Sequence, residues 1–215
     1  MTPATSAREA ILARIRAALP ADRAPEPESI TRTYKRAGNL PREACLDLLL
    51  DRLTDYESEI LHVADESGLP AAIAQALQNA GETRLLADAA FPAAWLPAGV
   101  DVVIDRNLSI EAMNGIPAVV TTCEAAAAST GTILLVHHGA QGRRAITLLP
   151  DHHICLLHRS QVHELVPEAL AAIAEHRGEP ITTISGPSAT SDIEMTRIRG
   201  VHGPRNLTVI LYGAI

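Results

Sequence analysis

From Arg42 onwards, short aliphatic runs recur between helical segments, and that alternation restricts the chain to few architectures. The apolar spacing predicts helices over Glu43–Leu53 and Pro70–Asn79, the second stopped by Gly81. Strand-like runs fall at Glu59–Val63, Arg84–Leu86, Val100–Ile104 and Ala118–Thr121. Runs apolar on both faces belong to strands covered from two sides, and helices between strands allow parallel crossovers. The fold class expected is therefore α/β, an open, mostly parallel sheet. Apolar residues make up 47% of the 215 and aromatic ones only 2%, so the core has to be built from Ala, Leu, Ile and Val.

After Cys123 the spacing tightens. Thr132–Val136, Ala145–Leu149 and Ile154–Leu157 follow one another across Gly139/Gly142 and Pro150-Asp151, connections short enough for an antiparallel portion. A helix over Val162–His176 and strands at Ile181–Ile184 and Leu207–Leu211 complete the domain. At the other end, Ser6 to Leu19 reads as a helix with a Ser6/Glu9 capping box and a stripe of Ile11, Leu12, Ile15 and Leu19. Pro20 to Pro41 contains four prolines and reads as an extended tether. Residues 1–41 are thus expected to form an N-terminal helix and tether, packing on a partner subunit, and 42–215 the α/β domain.

A formal net charge of −7 with five aromatic residues argues against nucleic-acid binding, which relies on basic grooves and stacking platforms. No apolar run reaches the length of a membrane span. Cys45, Cys123 and Cys155 lie far apart, without the spacing of a disulfide framework or an iron–sulfur cluster. The compartment expected is the cytoplasm.

Two polar segments near the C-terminus carry the chemistry. Ser185-Gly186-Pro187-Ser188-Ala189-Thr190-Ser191-Asp192-Ile193-Glu194 and Gly200-Val201-His202-Gly203-Pro204-Arg205 each hold a glycine-proline corner. Glycine permits close approach and proline fixes the neighbouring dihedral. Ser191 and Glu194 have capping-box spacing for a short helix. Ser185, Gly186, Ser188, Thr190, Gly203 and Arg205 are candidate ligand-binding residues, Arg205 for a carboxylate. His202 is the candidate proton carrier and Asp192 a candidate base. A third candidate region runs from Thr121 through Glu124 to Thr130-Gly131-Thr132, at the carboxyl end of a strand, where open α/β sheets hold ligands. Glu124 is a second candidate base there. No metal is expected: five histidines lie between His137 and His158, but the adjacent pairs His137-His138 and His152-His153 point to opposite faces of a strand.

The two C-terminal segments, with Thr130-Gly131-Thr132 and Leu148-Leu149-Pro150-Asp151-His152, closely resemble the signatures of the lactate utilization protein C family, built on the LUD domain. The resemblance covers about Arg42 to Ile215. It implies a fold similar to the sugar-phosphate isomerase and CoA-transferase group. It also implies a subunit of a bacterial system oxidising L-lactate to pyruvate, with iron–sulfur clusters only in cysteine-rich partner subunits and no cofactor in this chain. Many relatives carry an acid directly before Thr-Gly-Thr, where this chain has Ser129, so Glu124 or Asp192 would have to substitute. A free-standing isomerase or acyl/CoA-transferase acting on phosphorylated substrates, a non-catalytic scaffold, and self-association stay open at this point.

Overall fold

The computed structural model describes residues 6–18, 29–176, 178–190, 198–199 and 203–214. They form two compact units, 1–35 and 36–215. In the first, α1 (Ala7–Ala18) starts at the capping box expected: Ser6 N donates to Glu9 Oε2 at 2.9 Å and Glu9 N to Ser6 Oγ at 3.3 Å. None of its side chains is buried.

The second unit runs α2 (Arg42–Asp55), β1 (Glu59–His62), α3 (Leu69–Ala80), β2 (Arg84–Asp88), β3 (Asp101–Asp105), α4 (Ile110–Met113), β4 (Ala118–Thr122), β5 (Ala125–Ala127), β6 (Thr132–Val136), β7 (His152–His158), β8 (Val162–His163), α5 (Val166–Ala172), β9 (Ile181–Ile184), β10 (Ala189–Thr190), β11 (Ile198–Arg199) and β12 (Asn206–Tyr212). Six strands form one sheet in the order β1-β12-β7-β4-β2-β3, every pair parallel. A second sheet, β8-β5-β6-β9, is antiparallel except between β5 and β8. The open parallel sheet and its antiparallel portion are both present.

Side-chain alternation explains the layering. Along β12, Leu207, Val209 and Leu211 face the core shared with α2, while Ile210 and Tyr212 face α3. Along β6, Ile133 and Leu135 face α2, whereas Leu134 and Val136 face α5. The order of layers is α3, the six-stranded sheet, α2 with the four-stranded sheet, and α5. Every inner strand is buried on both sides, which is why its sequence shows no polar face. Helix α3 ends at Gly81, whose φ of 70° allows Glu82 N to reach Leu77 O at 2.8 Å. Because nothing lies within 4 Å of a Cβ there, Gly81→Ala meets only backbone strain. It should lower stability by about 1 kcal/mol, read from the midpoint of urea unfolding.

Three expected elements differ. Ala145–Leu149 is not a strand: Arg144–Thr147 forms a 3₁₀ turn beneath which Ile146 and Thr147 are buried. The run at Ile154 belongs to β7, parallel in the large sheet, not to a hairpin. Antiparallel pairing instead comes from the alanine run, since β5 pairs with β6 although alanine is a weak strand former. Packing overrides propensity here, because only small side chains fit with complete burial between α5 and the core. The helix expected over Val162–His176 begins as β8, with α5 covering only its middle. The far end of the expected tether is also held in place. Glu164 Oε2 accepts from Leu40 N at 2.7 Å and Glu168 Oε1 from Gly38 N at 2.9 Å. The Ser191 capping helix lies outside the described residues.

Candidate functional site

The two glycine-proline corners meet. Ser188 N donates to Pro204 O at 2.8 Å, closing the segment after β9 onto the segment before β12. Around this junction lies a cavity of about 260 Å³, lined by Arg144, Thr147, His153, Ser185, Gly186, Ser188 and Gly203 among others. His153 and Leu207, which also lines it, are the second residues of β7 and β12. The cavity therefore sits at the amino ends of these strands, not at the carboxyl end of β4.

Hydroxyl groups dominate the polar lining. Thr130 Oγ1 is 2.8 Å from Thr132 Oγ1, which is 2.9 Å from Ser185 Oγ at the cavity wall. Tyr56, at the end of α2, braces both glycine loops. Its hydroxyl donates to Thr130 O at 3.2 Å, and its ring lies against Gly186, where a Cβ would fall 2.6 Å from Tyr56 Cβ. Gly131, with φ of 61°, is equally tight against Arg52 Cβ. Tyr56, Arg52 and Arg144 were missed by sequence reasoning. The signal for Arg144 was a double arginine directly after Gly142, between two segments already singled out.

Among the described residues, Arg144 is the cation lining the cavity. Its Nη1 donates to Thr147 O at 3.2 Å and Thr147 Oγ1 at 3.0 Å, which fixes the guanidinium against Thr147. The floor is neutral. His153 is 2% exposed and bonded to Thr121 Oγ1 through Nε2 at 2.8 Å. Burial, then the nearby charges of His152 and Arg144, push its pKa down to about 3. An unfolded histidine titrates near 6.5. The unfolded chain therefore takes up a proton that the folded one refuses. The stability due to neutral His153 is complete above about pH 6.5 and is lost as the pH falls towards 3, by about 1.4 kcal/mol per unit. His153→Gln should flatten that slope in urea titrations between pH 7 and 5.

The remaining expected site residues are placed as follows. Arg205 is exposed and pairs with Asp151, Nε to Oδ1 at 3.1 Å, and does not line the cavity. Thr190 pairs through its backbone with Ile198. Asp192 and His202 lie outside the described residues. Glu124 stands apart from the cavity, beyond the carboxyl end of β4, where Gln141 Nε2 donates to its Oε1 at 2.6 Å. His138 and His176 stand beside it. His152 is occupied elsewhere, between Glu82 Oε2 at 2.7 Å and Thr208 Oγ1 at 2.8 Å. All three cysteines are buried. The hydrogen bond to Cys155, together with burial, raises the Cys123 thiol well above its usual range, and burial raises Cys45. Thiols raised in this way, Cys45 and Cys123, are poor metal ligands.

A parallel α/β sheet backed by a smaller antiparallel sheet, with a hydroxyl-rich cavity between glycine corners, defines the class: an open α/β protein. The LUD domain model matches residues 52–212, and the chain belongs to that family. A lactate utilization protein C of Deinococcus radiodurans is 44% identical over 183 residues, 84% of this chain and 85% of that protein. One from an Exiguobacterium species is 36% identical over 113 residues, 49% of this chain and 46% of its own length. A crystal structure of a DUF162 family protein from Deinococcus radiodurans superposes with a TM-score of 0.71 at 40% identity, over 81% of this chain and all of that one. No helix among the described residues is long and apolar enough to cross a membrane.

Proposed function

We propose that this chain is a lactate-utilization subunit that binds a small organic acid in the cavity between Arg144 and Ser185. The observation that carries the reading is a cavity of about 260 Å³ lined together by Arg144, Thr147, Ser185 and Ser188. A planar cation holds a carboxylate through two parallel hydrogen bonds, and hydroxyls both donate to and accept from a 2-hydroxyl or 2-oxo group. The volume is below the range usual for drug-sized ligands and suits a metabolite of a few carbons. The relatives named for lactate utilization point to the same substrate class. His202, next to Gly203 in sequence, is assigned the proton-carrier role on sequence grounds, and Asp192 that of base. Three buried cysteines far apart in sequence suit a chain that leaves redox centres to iron–sulfur partner subunits.

A strain lacking the gene for this chain should lose growth on L-lactate as sole carbon source. A tagged copy that restores growth should co-purify with cysteine-rich iron–sulfur proteins. Unimpaired growth of the deletion strain would overturn the assignment.

A further inference from the structure

We propose that Glu124, His138 and His176 form a binding site for a divalent first-row transition-metal ion, separate from the organic-acid cavity. One ligand atom from each residue lies within 4.8 Å of those of the other two. The residues come from three places: the turn between β4 and β5, the end of β6, and the 3₁₀ turn after α5. They gather beyond the carboxyl end of β4, the position at which open α/β sheets characteristically hold ligands.

Two of the three ligands are already oriented from behind. Glu124 Oε1 accepts from Gln141 Nε2 at 2.6 Å, and Gln141 is buried with its own Oε1 fixed by Val136 N at 2.6 Å. His176 Nδ1 faces Glu179 Oε1 at 3.1 Å, which directs its Nε2 to the cluster. Carboxylates behind metal-binding imidazoles fix the tautomer in this way. The His138 and His176 rings stack at 4.5 Å with 28° between their planes, so one ring has to rotate out of the stack for both nitrogens to meet the same ion. His138 Nε2 is enclosed yet has no hydrogen-bond partner, and it lies 3.4 Å from Glu124 Oε1. A buried polar atom of this kind calls for a partner, and an ion is one that fits between it and Glu124.

Two imidazoles and a carboxylate suit Zn²⁺ and its neighbours, and three protein ligands leave coordination positions free. Ligand atoms about 3.4 Å apart would satisfy tetrahedral zinc, so the cluster has to contract slightly. Side-chain exposures of 30% for Glu124, 39% for His138 and 20% for His176 leave a path from solvent. Exposed Glu175, 3.6 Å from His176 Nε2, becomes a fourth ligand or swings aside. The adjacent pair His137-His138 does divide between faces, His137 turning to Thr182 and Gly142. The second imidazole comes from 38 residues further along. The competing account is an ionic cluster around a protonated His176.

The test is calorimetric titration of the chelator-treated full chain with Zn²⁺, with Co²⁺ absorption as a second readout. One ion per chain is expected, with visible bands of low-coordinate Co²⁺. His138→Gln, His176→Gln and Glu124→Gln should each weaken Zn²⁺ at least tenfold, and His163→Gln should not. His176→Gln lies at a partly exposed turn, and an unchanged far-ultraviolet spectrum will confirm its fold. Zinc should raise the melting temperature of the parent protein but not of this variant. No stoichiometric binding, or binding that persists in the His138/His176 double variant, would overturn the site and leave the organic-acid reading untouched.

Discussion

Arg143→Ala is expected to destabilise the protein by about 3 kcal/mol, because it strands a buried carboxylate. Asp105 closes β3 and is only 3% exposed. Burial would raise its pKa, but the hydrogen bonds from Arg143, Leu108 N–H and Asn107 N–H outweigh that and hold the carboxyl below its usual range. Arg143 grips it with Nε on Oδ2 at 2.7 Å and Nη2 on Oδ1 at 3.1 Å, and also reaches Leu108 O. Removing the guanidinium leaves Asp105 Oδ1 with Leu108 N at 2.8 Å and a charge without a counter-ion. Arg143→Lys restores charge but not the fork, so it should lose about half as much. Urea unfolding at pH 7 checks both. In the Arg143→Ala/Asp105→Ala pair the losses should fall well short of additive, since the second change removes the stranded charge.

Gly186→Ala is expected to cost about 3 kcal/mol and to disturb the cavity wall. Two effects combine. The φ of 82° at Gly186 disfavours any residue with a Cβ, by about 1–2 kcal/mol. The added carbon would also fall 2.6 Å from Tyr56 Cβ and 2.7 Å from Cγ, an overpacking usually worth about 1–3 kcal/mol. Gly186→Ala in a Tyr56→Ala background should recover the steric part and keep the backbone part. A lowered thermal midpoint, with partial rescue in the double variant, is the expected pattern. Gly81→Ala is the control, with positive φ but open space, and its smaller loss isolates strain from contact.

The parts legible in the sequence were those governed by local rules. Gly81 and the apolar spacing over Pro70–Asn79 set α3, and the Ser6/Glu9 pair set the start of α1. Continuous apolar runs identified strands buried on both faces. The two glycine-proline segments stood out in the sequence because both carried polar residues without use in a core. Other features depend on partners distant in the chain. The alanine strand β5 exists because α5 and β6 flank it, and nothing local favours it. Two arginines flanked the expected site, Arg144 and Arg205, and the sequence could not show that Asp151 takes the second. Tyr56 is 75 residues from the glycine loop beginning at Gly131 and 130 from Gly186, yet packs on both. Likewise, pairs of adjacent histidines gave no hint that one member would meet His176 beside Glu124.

The measurement that bears most directly on the account is calorimetric titration of the full chain with L-lactate and with pyruvate, set beside Arg144→Ala and Arg205→Ala. Saturable one-site binding of at least one acid is expected. Arg144→Ala should weaken it at least tenfold, about 1.4 kcal/mol, while Arg205→Ala leaves it unchanged. If neither acid binds the parent chain, or if removing the Arg144 guanidinium makes no difference, the cavity is not the organic-acid site.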